Sequence, residues 1–261
     1  MALKDLARLV ARASNPKSLE YEFASMLDAA TVRLDEVSVP SQTYKPSSLG
    51  GCLRNVYFQV TGAPLDANTE VSAPLIGMRD SGTDRHVRIQ SIMSRMHTLG
   101  YPVEWVDVET YLQRNPQQGT SVRDKKEFET KLYNDIWNLS FMCDGIVRIR
   151  GIPYILEIKT ESSSKFQPRI GPAHKAYVQA TVYAAILGIR DVLYVYENRD
   201  TMAKKIYHVT ITDEDIETHM IARIEEVERC RQDGTVPAMA SDESECRFCA
   251  YKEACKQWGP T

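Results

Sequence analysis

Four cysteines near opposite ends of a 261-residue chain restrict how that chain can fold. Cys246, Cys249 and Cys255 form a C-x2-C-x5-C run, and Cys52 lies far upstream in the stretch SSLGGCLRNVYF. If the four sulfurs share one partner, the two ends must meet and everything between them must close on itself. Thiolates at this spacing suit a metal ion or an iron–sulfur group. The six cysteines form no series of short regular spacings. That argues against a secreted disulfide scaffold and fits a reducing cytoplasm.

The length allows one large domain with a sizeable core, or two small ones. Hydrophobic residues make up 43% and charged residues 26%, an ordinary globular balance. No apolar run is long enough to span a membrane. The N-terminal stretch sets Lys4, Arg8 and Arg12 opposite Leu3, Leu6 and Val10, as an organelle presequence would. Asp5 and the lack of a cleavable apolar core favour an ordinary surface helix. Net charge is −3, yet it is segregated. Gly145–Lys175 holds six Lys/Arg against two acids, whereas Thr212–Gly234 holds eight acids against three Lys/Arg. A basic surface beside an acidic outer helix is compatible with a nucleic-acid partner, and equally with two solvated faces.

The expected organisation is an N-terminal helical segment over 1–45 followed by one domain over 46–261. Ser47 and Ser48 are positioned to cap a helix running to about Thr61, with Cys52, Val56 and Val60 on one face. A longer helix is expected over Pro74–Thr98, its inward stripe formed by Met78, Gly82, His86, Ile89, Met93 and Met96. Strands are expected at Val103–Tyr111, Glu127–Tyr133, Leu139–Ile149 and Tyr154–Thr160, with a long polar loop, Gln113–Lys126, between the first two. A helix over Pro172–Leu187, strands at Val192–Glu197 and Lys204–Ile211, and an amphipathic helix over Asp213–Arg231 complete the chain. The order predicts an α+β fold with a mixed central sheet flanked by helices and a C-terminal cysteine-rich segment. No Gly-Lys dipeptide occurs, which excludes a Walker A phosphate loop.

Candidate chemistry centres on Asp144 in MCDGIV and Glu157-Ile158-Lys159 in ILEIKT. Period-2 alternation puts Glu157 and Lys159 on one strand face, roughly 7 Å apart along the backbone. If the strand bearing Asp144 pairs with it through the RIRGIP turn, both carboxylates reach one hard cation. Mg²⁺ takes only one or two protein carboxylates and keeps waters and phosphate oxygens for the rest of its shell. Taken alone, Glu-Ile-Lys would read as a surface salt bridge, and His86 as a core histidine. Lys175, Gln179 and Tyr183 recur every four residues as a polar stripe on an otherwise apolar helix. Such a stripe turns towards a ligand, or Gln179 and Tyr183 satisfy each other.

The set His86, Asp144, Glu157-x-Lys159 and Gln179-x3-Tyr183 resembles the RecB-type branch of the PD-(D/E)XK nucleases. With Cys52 and Cys246-x2-Cys249-x5-Cys255 added, the chain is similar to the iron–sulfur members of that branch. These include the AddB nuclease domain and the exonucleases of CRISPR adaptation. The match runs from about Ser47 to Cys255. The resemblance implies a restriction-endonuclease-like core and a 4Fe–4S cluster stapling the C-terminal segment to the helix of Cys52. It also implies His86, Asp144, Glu157 and the Ile158 carbonyl as ligands of Mg²⁺ or Mn²⁺, with Asp144, Glu157 and Lys159 catalytic. Lys175, Gln179 and Tyr183 would lie near DNA. Cys143 departs from the usual small or polar residue before the acidic strand and reads as a buried thiol, and Cys230 as a helix-end cysteine. Zinc competes for the four cysteines, although a single ligand so far from the others fits structural zinc poorly.

The implied activity is a metal-dependent DNA exonuclease acting on single strands or ends, in recombination, repair or replication. No helicase motif accompanies it, so a partner helicase or integrase subunit is compatible with the chain. The alternative is an iron–sulfur DNA-binding adaptor that trims ends for an integration complex of the CRISPR-adaptation kind.

Overall fold

Residues 139–161 hold three strand-like runs separated at Asp144-Gly145 and Arg150-Gly151, and those two breaks decide the architecture. The computed structural model describes residues 18–35, 41–66, 72–240, 244–247 and 249–259. The expected helix over residues 1–17 lies outside them. In chain order the elements are α1 (Leu19–Leu34), α2 (Pro46–Leu49), α3 (Leu53–Val60), α4 (Ala73–Arg95), β1 (Val103–Val106) and α5 (Val108–Arg114). Then come β2 (Thr120–Lys126), β3 (Glu129–Asn134), β4 (Leu139–Cys143), β5 (Gly145–Ile149) and β6 (Ile152–Glu161). They are followed by α6 (Ser163–Phe166), α7 (His174–Leu187), β7 (Asp191–Asn198) and β8 (Lys204–Thr210). Last are α8 (Asp213–Ile216), a π-helical turn (Glu217–Ile221), α9 (Ala222–Asp233), α10 (Ser244–Arg247) and α11 (Lys252–Lys256).

The chain separates into a small unit, residues 1–39 and 68–83, and a large one, residues 40–67 and 84–261. In the small unit Ser18 caps α1 by accepting from the Tyr21 amide at 3.2 Å, and Arg79 pairs with Asp35 at 2.7 Å. No residue of α1 is buried.

The large unit is α+β, with a mixed five-stranded sheet in the order β1-β5-β6-β7-β8. Only β6 and β7 run parallel, and their crossover is α6 plus α7. The β5–β6 hairpin closes through Arg150 and Gly151, both at positive φ, the geometry that tight antiparallel turns favour. β2, β3 and β4 form a separate antiparallel meander. On one sheet face α7 buries Val178, Ala180 and Val182 in a core with Ile155, Tyr194 and Tyr196. On the other, Ile89 of α4 packs with Val147, Leu156, Ile158 and Val195. Each such side chain contributes roughly 1.5–3 kcal/mol. Among the described residues no helix is long and apolar enough to cross a membrane.

Several expected elements break where one residue offers the backbone another partner. The strand expected over Val103–Tyr111 ends at Val106, because Asp107 accepts from the Thr110 amide at 2.9 Å and starts α5. The expected loop Gln113–Lys126 is in large part α5 and β2. Leu139–Ile149 is two strands in two sheets, divided at Gly145. There φ is +151°, and a Cβ would meet the Trp105 ring at 2.3 Å. The helix expected from Ser47 to Thr61 is two helices, α2 and α3, interrupted by Gly50-Gly51-Cys52. A Cβ on Gly50 would lie 2.9 Å from the Lys175 Cα, so α7 crosses there against bare backbone. Along α4, Ile89 and Met93 face the core as expected, whereas Met78 is exposed and Ile76 is buried instead. The expected helix Asp213–Arg231 forms, with a π-helical turn inside it. Cys143 is buried, as expected, and Cys230 lies near the end of α9, as expected, where it too is buried.

Candidate metal centre and cysteine cleft

β6 lies in the middle of the sheet, and its alternation places Glu157 and Lys159 on the face covered by α7. Their register partners on β7 are Tyr194 and Tyr196. Glu157 is wholly buried, and neither carboxylate oxygen accepts a hydrogen bond. The Lys159 ammonium is its ion-pair partner. Burial pushes the Glu157 carboxyl up to about 7, with Asp144 adding to the shift and Lys159 opposing it. Burial would lower Lys159, but Glu157 and Asp144 outweigh that and keep it raised. The ammonium also donates to Gln179 Oε1 at 3.2 Å.

Asp144 sits at the break between the two sheets. Its Oδ2 accepts from the Ile158 amide at 2.6 Å, and its Oδ1 lies 3.2 Å from His86 Nδ1. Burial disfavours a charged imidazole, yet the contact with Asp144 lifts His86 above its ordinary value. His86 therefore reaches the site from α4, while Ile89, one turn on, anchors the same helix in the core.

Two participants were not read from the sequence. Glu129, at the start of β3, brings a carboxylate into a trio with His86 and Asp144 in which the ligand atoms all lie within 4.8 Å of one another. Burial and the neighbouring Asp144 raise its carboxyl. Only the strand register reveals it: Thr130 pairs with Cys143, and extending that register by one residue sets Glu129 opposite Asp144. Gln90, fully buried on α4, donates to the Asp144 carbonyl at 2.7 Å, and its own Oε1 lacks a partner.

The stripe Lys175-Gln179-Tyr183 divides. Gln179 Nε2 donates to the Tyr183 hydroxyl at 2.6 Å, and that hydroxyl donates to the Met142 carbonyl at 2.7 Å. Tyr183 is buried and stacks on Phe141 at 5.2 Å. Gln179 and Tyr183 thus satisfy each other, the second reading of the stripe, and hold Lys159 and the strand before Asp144. Lys175 faces elsewhere, pairing with Glu245 at 3.0 Å.

Cys52, Cys246, Cys249 and Cys255 line one cleft of about 460 Å³, together with Arg54, Asn55, Lys175 and Glu245. Cys52 is the N-cap of α3, and its amide donates to Glu245 Oε2 at 2.7 Å. Buried Arg54 donates to the Pro237 and Gly259 carbonyls, and its Nη1 lies 3.6 Å from Cys255 Sγ. The Asn55 side chain and the Tyr251 amide donate to Cys249 Sγ at 3.3 and 3.4 Å. Asp66 caps α11 by accepting from the amides of Lys252 and Glu253. The four cysteines are therefore brought together, with donors and positive charge aimed at sulfur.

No protein-family model matches the chain, and no curated protein matches its sequence. Among solved structures, the chain is similar to the crystal structure of SSO0001, with TM-score 0.48, 16% identity, and 90% of this chain and 97% of that one covered. It is also similar to LHK-Exo in complex with dAMP, with TM-score 0.40, 16% identity, and 80% and 98% covered. An alkaline exonuclease (LHK-Exo) from Laribacter hongkongensis matches with TM-score 0.38, 12% identity, and 80% and 97% covered. At these TM-scores the likeness carries no further argument.

Proposed function

We propose that the protein is a divalent-cation-dependent deoxyribonuclease that hydrolyses phosphodiester bonds in single-stranded DNA or at DNA ends. One observation carries this reading: Glu157 is a fully buried carboxylate beside Asp144, with the Lys159 ammonium as its ion-pair partner. Two neighbouring carboxylates sharing one ammonium in a buried site are costly, and a bound cation relieves the cost. The donor set of carboxylates, one imidazole and a backbone carbonyl fits Mg²⁺ or Mn²⁺. Asp144, Glu157, His86 and the Ile158 carbonyl would hold the ion, with Glu129 alongside. When bound, such an ion polarises a phosphodiester and lowers the pKa of a water.

The remaining tasks fall to side chains. Lys159, held by Glu157 and Gln179, presents an ammonium that orients the attacking water and offsets charge developing on phosphorus oxygens. Glu129 can take the proton of that water. Gln90 and Tyr183 hold the backbone on either side of Asp144. A DNA-binding adaptor would need neither two neighbouring carboxylates in a buried site nor a lysine paired with one of them.

The cysteine cleft fits a 4Fe–4S cluster. Amide and guanidinium donors surround its sulfurs, as suits an anionic group tuned by hydrogen bonds.

The test is degradation of labelled single strands with Mg²⁺ or Mn²⁺. Asp144→Ala and Glu157→Ala should each lower the rate by about 10³-fold or more while leaving circular dichroism intact. Full activity in the Glu157 variant would refute the assignment.

A further inference from the structure

The segment between α6 and α7, residues 167–173, is rigidly built and ends in an apolar tip. Ile170 is 95% exposed. A single exposed aliphatic side chain is ordinary by itself. What distinguishes this one is how firmly the backbone beneath it is held. The Lys205 ammonium donates to the carbonyls of Phe166, Gln167 and Arg169 at 2.8, 2.9 and 2.9 Å, which uses all its protons. The Tyr207 hydroxyl adds a bond to the Arg169 carbonyl at 2.8 Å. Arg169 forks onto Glu161 at 2.7 and 2.5 Å, reaches the Gly171 carbonyl at 3.1 Å, and lies 4.5 Å over the Tyr196 ring. The Ala173 amide donates to the Tyr196 hydroxyl. Pro168 and Pro172 restrict the chain further. Surface loops are usually the mobile parts of a fold; this one fixes a single side chain in place.

That place adjoins the catalytic face. Glu161 follows Lys159 by two residues on the same face of β6, about 7 Å along the strand. Tyr196, under the Arg169 guanidinium, is the register partner of Lys159. From Ser162 to Lys175 the chain carries no carboxylate; Arg169 and Lys175 are paired with Glu161 and Glu245, and Lys165 is exposed.

Building on the nuclease reading, we propose that Ile170 is a wedge that inserts against the base beside the phosphodiester held at Glu157 and Lys159. Apolar side chains placed between base steps unstack them at a cost of a few kcal/mol. A wedge that is already ordered loses no loop entropy on contact. At a duplex end it would part the terminal pair and pass one strand to the site. The structure thereby assigns Ile170 a role in substrate choice, separate from the chemistry.

The test uses the full chain and a duplex carrying 2-aminopurine at its terminal position, with Ca²⁺ in place of the activating ion. Wild type and Ile170→Phe should raise the fluorescence as the base unstacks, and Ile170→Ser should not. With Mn²⁺, the ratio of duplex-end to single-strand cleavage should fall at least five-fold in Ile170→Ser. An unchanged ratio and fluorescence in Ile170→Ser overturn the wedge alone. Equal losses on both substrates also overturn it, making Ile170 a general contact. A wild type that cuts no DNA with Mg²⁺ or Mn²⁺ removes the nuclease reading, and the wedge with it.

Discussion

At the scale of single residues, His86 separates two roles that predict opposite phenotypes. As a core histidine it would support stability alone; as a ligand it would support cation affinity. Its contact with Asp144 and its place in the trio with Glu129 favour the second. His86→Gln should raise the Mn²⁺ concentration at half-maximal activity about 10-fold or more, with the melting temperature in EDTA unchanged. Superimposable activation curves together with a lowered melting temperature would return His86 to the core. Asp144, Glu157, Lys159 and His86 were legible because strand alternation and helix spacing fix which way each points. Glu129 was not legible, since no neighbour in sequence marks it and only the β3–β4 register brings it across from Asp144. For Gln179 and Tyr183 the second reading of the stripe holds, since they bond each other, and the Tyr183 hydroxyl also satisfies the backbone of the adjacent strand.

At the scale of elements, α4 is tied to the sheet by Glu197, whose carboxylate is fully buried. Arg88 binds both its oxygens at 2.6 and 2.5 Å, and Arg85 and Lys204 approach at 3.3 and 3.2 Å. Burial alone would raise this carboxyl, but Arg88 and Lys204 outweigh it and hold it below its usual 4.5. The depressed value means that the stabilisation is present above the unfolded value and lost as pH falls through the folded one. Glu197→Gln should cost roughly 2–4 kcal/mol at pH 7, and urea unfolding should show that gap closing in acid below the folded value. A gap that stays constant with pH would mean the charge contributes nothing. The elements misread from sequence share one cause. Asp107, Gly145 and Gly50-Gly51 each redirect the backbone within a run whose apolar pattern continues, so periodicity carries on where hydrogen bonding has stopped. Existence and type were readable for α7, β6 and β7, whose apolar runs are bounded by turns.

At the scale of the whole large unit, the cysteine cleft joins residues 50–66 to the segment after α9. Arg223 reinforces this join by donating to the Leu49 and Gly51 carbonyls, both at 2.5 Å. Among the described residues after α9, regular structure is limited to two short helices, α10 and α11. Helices of that length are not stable alone. The cluster proposed for the cleft should therefore hold the C-terminal region in place. Protein purified anaerobically should be brown and contain iron and acid-labile sulfide. Cys249→Ser should bleach it and speed proteolytic release of the region after Pro237, while the sheet persists by circular dichroism. Colourless protein with stoichiometric zinc would sink the cluster. That the two ends meet was legible in the four cysteines. The donors aimed at their sulfurs, from Arg54, Asn55 and the Tyr251 amide, were not, because they depend on where α3 is capped.

The distance in sequence between Cys52 and its three partners also bears on how the protein is made. A ribosome releases Cys52 early and Cys255 nearly last, and the β-sheet can form in between. No inorganic group can be fully ligated until synthesis has passed residue 255. A chain stopped before residue 246 would offer only Cys52 of the four. If the proposed cluster is held by all four, its loading requires that translation has reached the last of them.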